Sequence, residues 1–408
     1  MKLSVRNFGP IKQADIETKK YNFFIGNTST GKSVVAKLIA IANSADFIAL
    51  NSGELDKFKS ILADYCIDFE FKTDTIINIS IDNEVKSSVT ADRFIVKYTK
   101  KSDYEIRHLV SQVSDLKSYL KLFDNIPYNQ NNVNEVNYLK GLKHFLKEVS
   151  ENAFNDYIKN QKVFPPLESS IYIPAERNLI SLFSNSIYSI LSAGSVIPES
   201  ILRFGKLYEK AKNGNKKFVI DFLKLCVEFN KSNDLIDLGD DKGKITFKQA
   251  SSGMQSVIPL WVVFTNAVNG QGNEIIIEEP ELNLFPVVQT NLLNQIFERA
   301  NNSLSNIYIT THSPYVFSEV DNLIFANDIY SAALEKGNND LAHKVTKLVR
   351  PETMIRYEDI SSYYFEDNGN VKKVNDDKHR LSGADAVDMA SDITSSVFDQ
   401  LMDLENEL

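Results

Sequence analysis

The stretch Gly26-Asn27-Thr28-Ser29-Thr30-Gly31-Lys32-Ser33 satisfies every fixed position of the pattern G-x-x-x-x-G-K-[ST]. Residues of these types at this spacing form a phosphate cradle. Backbone N–H groups of the loop and of the first helical turn point at phosphate oxygens, aided by the positive end of the helix. Gly26 and Gly31 permit backbone angles and close approaches that a Cβ obstructs. Lys32 is placed to reach the β- and γ-phosphates, and the Ser33 hydroxyl to ligand Mg2+. A plain strand–turn–helix can match the pattern by chance, so the flanks matter. Tyr21–Ile25 is a short β-rich run and Val34–Ala42 has the apolar face of a helix, the context a nucleotide cradle requires.

Asn273-Glu274-Ile275-Ile276-Ile277-Glu278-Glu279-Pro280-Glu281 places two adjacent carboxylates at the end of a short apolar run. Such a run reads as a buried strand of a parallel sheet, whose C-terminal end opens on the crevice where α/β sheets bind ligands. Glu278 would hold Mg2+, directly or through water, and Glu279 would act as general base toward the attacking water. A solvated acidic turn is the plainer alternative. A second apolar strand, Asn306–Thr311, leads into His312-Ser313-Pro314. A lone histidine is more often structural than catalytic, but at this strand end its imidazole would hydrogen-bond a γ-phosphate or position the water. His108, His144, His343 and His379 have no such setting. Ser251-Ser252-Gly253-Met254-Gln255-Ser256 opens a helix predicted over Ser256–Asn266, which carries the only tryptophan, Trp261. That helix start is either an anion site or a simple N-cap.

The elements that must position these groups follow from periodicity. Strands are predicted over Lys2–Arg6, Ile11–Glu17 and Tyr21–Ile25, the first two joined by Asn7-Phe8-Gly9-Pro10. Period-two alternation within Tyr65–Tyr98, as in Cys66–Phe71 and Ile76–Ile81, predicts half-buried antiparallel strands. Between residues 102 and 160, Leu116, Tyr119, Leu120 and Phe123 recur at helical spacing, as do Leu139, Leu142, Phe145 and Leu146. After a strand at Ser170–Ile173 come predicted helices over Leu179–Leu191, Glu199–Ala211 and Phe218–Phe229, then a hairpin of Leu235–Leu238 and Lys244–Phe247. Strands are also predicted at Asp328–Ala333 and Ser361–Glu366. A final acidic, amphipathic helix carries Val387, Ala390, Ile393, Val397 and Leu401 or Leu404 along one side, for its own core or for a partner. The predicted fold class is α/β, with a mixed sheet, an antiparallel β subdomain and a helical insertion. Its divisions are a lobe at 1–100 with the phosphate loop and antiparallel strands, a mostly helical insertion at 101–234, a lobe at 235–350 with the carboxylates and histidine, and a C-terminal strand and helix at 351–408.

A chain of 408 residues, 43% hydrophobic and 24% charged, can bury a large core and has the composition of a soluble globular protein. No apolar run reaches the length of a membrane span, and Met1–Arg6 is strand-like and not a secretory signal. Cys66 and Cys226 are too few and too distant for a disulfide framework or a zinc site, so a cytoplasmic location is expected. The net charge of −9 gives no bulk attraction to nucleic acid. Arg203, Lys206, Lys210, Lys212, Lys216 and Lys217 do concentrate basic charge in the insertion, as a nucleic-acid surface or as a solvated face.

Taken in order, the phosphate loop, the small-residue turn, the carboxylate pair and the histidine resemble the ABC-type ATPases, in the soluble branch that includes SMC-like, RecF-like and OLD-like proteins. Glu278-Glu279-Pro280-Glu281-Leu282-Asn283-Leu284-Phe285-Pro286 is similar to that branch's extended Walker B motif and D-loop, usually written EEPExHLHP. Thr311-His312-Ser313-Pro314 resembles its H-loop, Ser251–Gln255 its LSGGQ signature, and Ile173-Pro174-Ala175-Glu176-Arg177 also recurs there. The likeness covers 1–100 and 235–330 and leaves the insertion out. Met254 stands where the signature has its second glycine, and Asn283 and Phe285 stand where the branch has histidines. No residue stands out as the Q-loop glutamine.

The resemblance implies an ABC-type ATPase head that binds ATP with Mg2+ and hydrolyses it to ADP and phosphate. It implies ATP sandwiched between two copies of the chain, the P-loop of one facing Ser252, Gly253 and Gln255 of the other, in a dimer or a higher homo-oligomer. OLD-like ATPases often carry a TOPRIM nuclease domain, but residues 323–408 contain no Asp-x-Asp and are few for that fold, so no nuclease is expected. The implied setting is the ATPase subunit of a bacterial anti-phage defence system, acting as sensor or scaffold for a separate effector such as a TOPRIM or HNH nuclease. The competing setting is an SMC- or RecF-like DNA-binding ATPase of repair or recombination, with a transporter motor ranked third.

Overall fold

A computed structural model describes residues 1–48, 50–81, 85–98, 170–183, 197–213, 216–230, 234–239, 242–269 and 272–383. The helical stretch predicted over 102–160 and the final amphipathic helix lie outside them. The described elements begin with β1 (Lys2–Phe8), β2 (Ile11–Glu17), β3 (Tyr21–Gly26), α1 (Lys32–Ala42), α2 (Leu55–Asp64), β4 (Ile76–Ile81), β5 (Val85–Val89), β6 (Phe94–Tyr98) and β7 (Ser170–Ile173). Next come α3 (Glu199–Asn213), β8 (Lys217–Ile220), β9 (Leu225–Glu228), β10 (Leu235–Asp237), β11 (Lys244–Thr246), α4 (Ser252–Val268) and β12 (Glu274–Glu278). The series ends with α5 (Pro286–Asn301), β13 (Asn306–Thr311), α6 (Pro314–Glu335), α7 (Asn339–Leu348), β14 (Ile360–Phe365) and β15 (Val371–Lys373).

The predicted α/β class holds, with one mixed sheet and two antiparallel ones. The mixed sheet has the order β15-β14-β3-β13-β12-β7. Strands β14, β3, β13, β12 and β7 run parallel, and β15 closes one edge antiparallel to β14. Register brings the strand ends together: Glu278 pairs with Thr310, Thr311 with Ile25, and Gly26 with Phe365. The phosphate loop, the carboxylates and the histidine therefore leave the same edge of one sheet.

Alternation along these strands explains why both faces are covered. Phe23 and Ile25, Ile275 and Ile277, and Ile307 and Ile309 join a core with α4, α5 and α6. Phe24, Ile276 and Tyr308 point the other way, into a core with α1 and the antiparallel sheet β2-β1-β4-β5-β6. Each such buried side chain contributes about 1.5–3 kcal/mol, so the sheet edge that carries the site is rigidly backed. The hairpin predicted around 239–243 is present as β10 and β11 in a second antiparallel sheet, β11-β10-β9-β8.

Three predicted elements are corrected. Phe218–Phe229 forms β8 and β9 and is not a helix. Ile220, Leu225 and Val227 are buried while Val219 is 60% exposed, and Lys224 takes the left-handed turn between the strands at φ 54°. Asp328–Ala333 is the end of α6 and not a strand: Ala326 is buried, Ile329 and Tyr330 pack beside it, and Ala333 is buried again, a helical spacing. Cys66–Phe71 is irregular; Cys66 has φ 56°, and Phe69 and Phe71 pack on Phe8 at centroid separations of 5.7 and 5.1 Å.

Candidate active site

The phosphate loop is shaped by its glycines and drawn in by its lysine. Gly26 ends β3 at φ 144°, and a Cβ there would lie 2.4 Å from the Phe365 carbonyl oxygen. Gly31 caps α1 at φ 103° and lies against Ile11. Thr30 Oγ1 donates to the Asn27 carbonyl at 2.8 Å, and Asn27 Nδ2 donates to Asp367 Oδ1 at 3.0 Å, tying the loop to itself and to the end of β14. Ser29 takes φ 64° at the crown. Lys32 is buried, and its Nζ donates to the carbonyls of Gly26 at 2.8 Å and Asn27 at 2.7 Å. Burial lowers its pKa to about 8, against the opposing pull of Glu279, Glu281 and Glu278. A buried ammonium held by carbonyls is ready to exchange them for phosphate oxygens.

One carboxylate ends β12 and two follow it, each in a different setting. Glu278 is 3% exposed, and its Oε1 has no hydrogen-bond partner among the described residues. Burial raises its pKa, opposed by Lys37 and by the nearby hydroxyls of Tyr172 and Ser33. Glu279 is half-buried, and its Oε1 lies 3.0 Å from His312 Nε2. That hydrogen bond, more than the charges of His312, Lys32 and Arg177, holds its carboxyl below the usual range. Glu281 accepts from Thr311 Oγ1 at 2.5 Å and from the His312 N–H at 3.0 Å, which fixes the histidine backbone, while burial raises its own pKa. His312 Nδ1 faces Lys32 Nζ at 3.5 Å. A hydrogen on Nε2 suits the Glu279 carboxylate.

An orphaned carboxylate oxygen beside a serine hydroxyl is a hard-oxygen donor set, the type that suits Mg2+. Ser33 and Glu278 thus fit the metal role. At the small-residue turn, Ser251 is the N-cap of α4 and its Oγ accepts from the Met254 N–H at 3.4 Å. Ser251 and Ser252 are exposed, whereas Gln255 Nε2 turns back to the carbonyls of Phe247 and Lys248 at 3.3 and 3.2 Å. A Cβ on Gly253 would lie 2.7 Å from the Asn283 carbonyl oxygen, so the helix start packs on the loop that follows Glu279. Sequence reasoning gave Arg177 no role. This residue is fully buried and donates to the carbonyls of Glu278 and Glu279, both at 2.7 Å. Its place after the buried strand in Ile173-Pro174-Ala175-Glu176-Arg177 was the available signal; its partners, about a hundred residues away, were not.

A family model described as an AAA ATPase domain matches residues 142–317. The matched span includes Arg177, the start of α4, Glu278, Glu279 and His312, and it supports ATPase activity; the loop 26–33 lies before it. The mixed and antiparallel sheets of the described residues are consistent with a P-loop ATPase fold. Among solved structures, an SMC head bound to the C-winged helix domain of ScpA is 14% identical, with 91% of this chain and 96% of that one covered and a TM-score of 0.36. The SMC head domain from Thermotoga maritima is 10% identical, with coverage of 78% and 90% and a TM-score of 0.35. No curated protein matches the chain. No helix among the described residues is long and apolar enough to cross a membrane.

Proposed function

We propose that the chain is an ABC-type ATPase that closes as a dimer around ATP and Mg2+ and hydrolyses ATP to ADP and phosphate. The observation that carries this is the contact chain Lys32–His312–Glu279 at one edge of the parallel sheet, with Glu278 buried beside it. Lys32 would leave its two carbonyls for the β- and γ-phosphates, whose charge restores its own. Glu279, already held ionised by its neighbours, would take a proton from the attacking water while His312 orients that water or the γ-phosphate. Mg2+ held by Ser33 and Glu278 would offset charge on the phosphates. The exposed start of α4 offers Ser252 and Gly253 to a nucleotide on a second copy, with Gln255 bracing the turn behind them.

The resemblance to ATPase subunits of bacterial anti-phage defence extends this reading to a sensor or scaffold that controls a separate effector, a nuclease of TOPRIM or HNH type, in the cytoplasm. The DNA-binding alternative has less support: Arg203, Lys206, Lys212 and Lys217 of the basic cluster each lie within ion-pair distance of a carboxylate.

The test has two arms. Glu279→Gln should keep ATP binding and accumulate dimers, and hydrolysis by that variant at the native rate overturns the base assignment. Recovery of the chain from its native cell should bring an effector nuclease with it. ATP hydrolysis stimulated by DNA, and falling steeply with salt, would favour the alternative.

A further inference from the structure

We propose that Arg177 is the positioning residue that couples the second turn of α4 to the backbone of Glu279, and so sets when the base is aimed at water. This rests on the function proposed above. The Arg177 guanidinium donates to main-chain carbonyls of separate segments: Nε to Ser256 at 3.1 Å, Nη1 to Pro174 at 3.0 Å and Glu278 at 2.7 Å, and Nη2 to Glu279 at 2.7 Å. A guanidinium so deep in a protein is expected to meet a carboxylate directly. Here carbonyls accept from four of its five N–H groups, and Glu281, Glu279 and Glu278 act on its charge through space. The residue therefore joins three pieces of backbone.

Glu279 needs such a hold. Its φ of 43° is one that a residue with a side chain rarely adopts, and it persists only where the surroundings enforce it. The Glu279 N–H donates to the Thr310 carbonyl at 2.9 Å, and its own carbonyl accepts from Arg177. The residue is pinned from β13 on one side and from Arg177 on the other, which leaves the carboxylate to His312. Ser256 lies one helical turn after Ser252. A shift of the helix start on engaging a partner's nucleotide moves the Ser256 carbonyl, and a planar guanidinium fork cannot follow one carbonyl without turning against the others. The contact of Gly253 with the Asn283 carbonyl adds a second push on the same loop.

The experiment compares Arg177→Lys with wild type for ATP affinity, ATP-dependent dimerisation and steady-state hydrolysis. Lysine keeps the charge and loses the fork. The expected result is an ATP Kd within about threefold of wild type, dimers that still form, and a kcat lower by at least about tenfold. Added methylguanidinium should restore part of the kcat of Arg177→Ala, which a general loss of packing would not allow. If Glu279→Gln is inactive while Arg177→Lys turns over within about twofold of wild type, the coupling is overturned and the ATPase reading stands. If wild type fails to hydrolyse ATP, or Glu279→Gln hydrolyses at the native rate, the underlying reading fails whatever Arg177 does. Should neither Arg177 variant fold, amide exchange on the wild-type chain decides. Protection at the amides of Glu278 and Glu279 must rise on dimerisation with ATP and must not rise in Ser252→Arg; equal protection in both overturns the coupling.

Discussion

Glu279 Oε1 and His312 Nε2 lie 3.0 Å apart and join the ends of two neighbouring parallel strands. The carboxylate proposed as the base and the imidazole are each other's partner. His312 also reaches toward Lys32, and one side chain thereby touches the groups assigned to the phosphate and to the water. In His312→Ala, Glu279 loses the hydrogen bond that most depresses its pKa. Hydrolysis is expected to fall by about 10²-fold, the scale of a lost acid–base or positioning group, with ATP affinity changed by less than about threefold. Steady-state kinetics beside a fluorescent-nucleotide titration checks this; a variant within about twofold of wild type would remove His312 from the mechanism.

Lys32→Ala separates binding from folding. The ammonium is buried against carbonyls, and its burial lowers its pKa. Its removal leaves the Gly26 and Asn27 carbonyls short of a donor, a penalty of about 1–3 kcal/mol that is partly offset by relief of a buried charge. The nucleotide-free melting temperature should therefore move little. Wild type at a hundredfold excess of ATP over Kd should gain about 2.7 kcal/mol, and Lys32→Ala should gain nothing. Thermal melts with and without Mg-ATP distinguish the two, and an ATP-dependent shift that survives in the variant contradicts the assignment.

Gly26→Ala should damage the fold as well as the site. The added Cβ would lie 2.4 Å from the Phe365 carbonyl, a backbone atom in β14, and the position sits at φ 144°. Strain of this kind costs on the order of 1–3 kcal/mol, so the melting temperature should drop even without nucleotide. Gly53, whose Cβ would meet nothing within 4 Å, also sits at positive φ (94°). Alanine there should show the cost of backbone conformation without the clash, and equal losses at the two positions would discount the contact with Phe365.

How much of this was legible depended on whether the signal was local. The loop 26–33, the carboxylates after β12 and His312 announce themselves because each follows a short apolar strand within a few residues. Their meeting at one edge follows from parallel register, which the sequence implies only once the strand order is known. Phe218–Phe229 misled because its turn is made by Lys224, a residue that rarely takes φ 54°, so no glycine or proline marked the break. Asp328–Ala333 misled because Ile329 and Tyr330 are β-favouring types in a stretch too short to show a helical period. Arg177 was hidden for another reason. Three of its four acceptors are backbone carbonyls from residues 79 to 102 positions away, and nothing in the identity of those residues encodes a carbonyl's direction.

Phe285 offers the sharpest test of the dimer. It is 73% exposed at the head of α5, three residues after Leu282 and directly after the loop against which Gly253 packs. It stands where the EEPExHLHP motif that this stretch resembles has its second histidine. An exposed side chain at an N-cap contributes little to the isolated chain, so Phe285→Glu should change its stability by no more than about 0.5 kcal/mol. If the start of α4 and this loop together face a second copy, the aromatic ring sits at that interface. A carboxylate in its place should weaken ATP-dependent dimerisation at least about tenfold, or about 1.4 kcal/mol. Sedimentation of Glu279→Gln with and without the added Phe285→Glu, in Mg-ATP, measures it directly. Unchanged dimer affinity would move the interface away from the signature and the loop after Glu279, and with it the source of the second half of the ATP site.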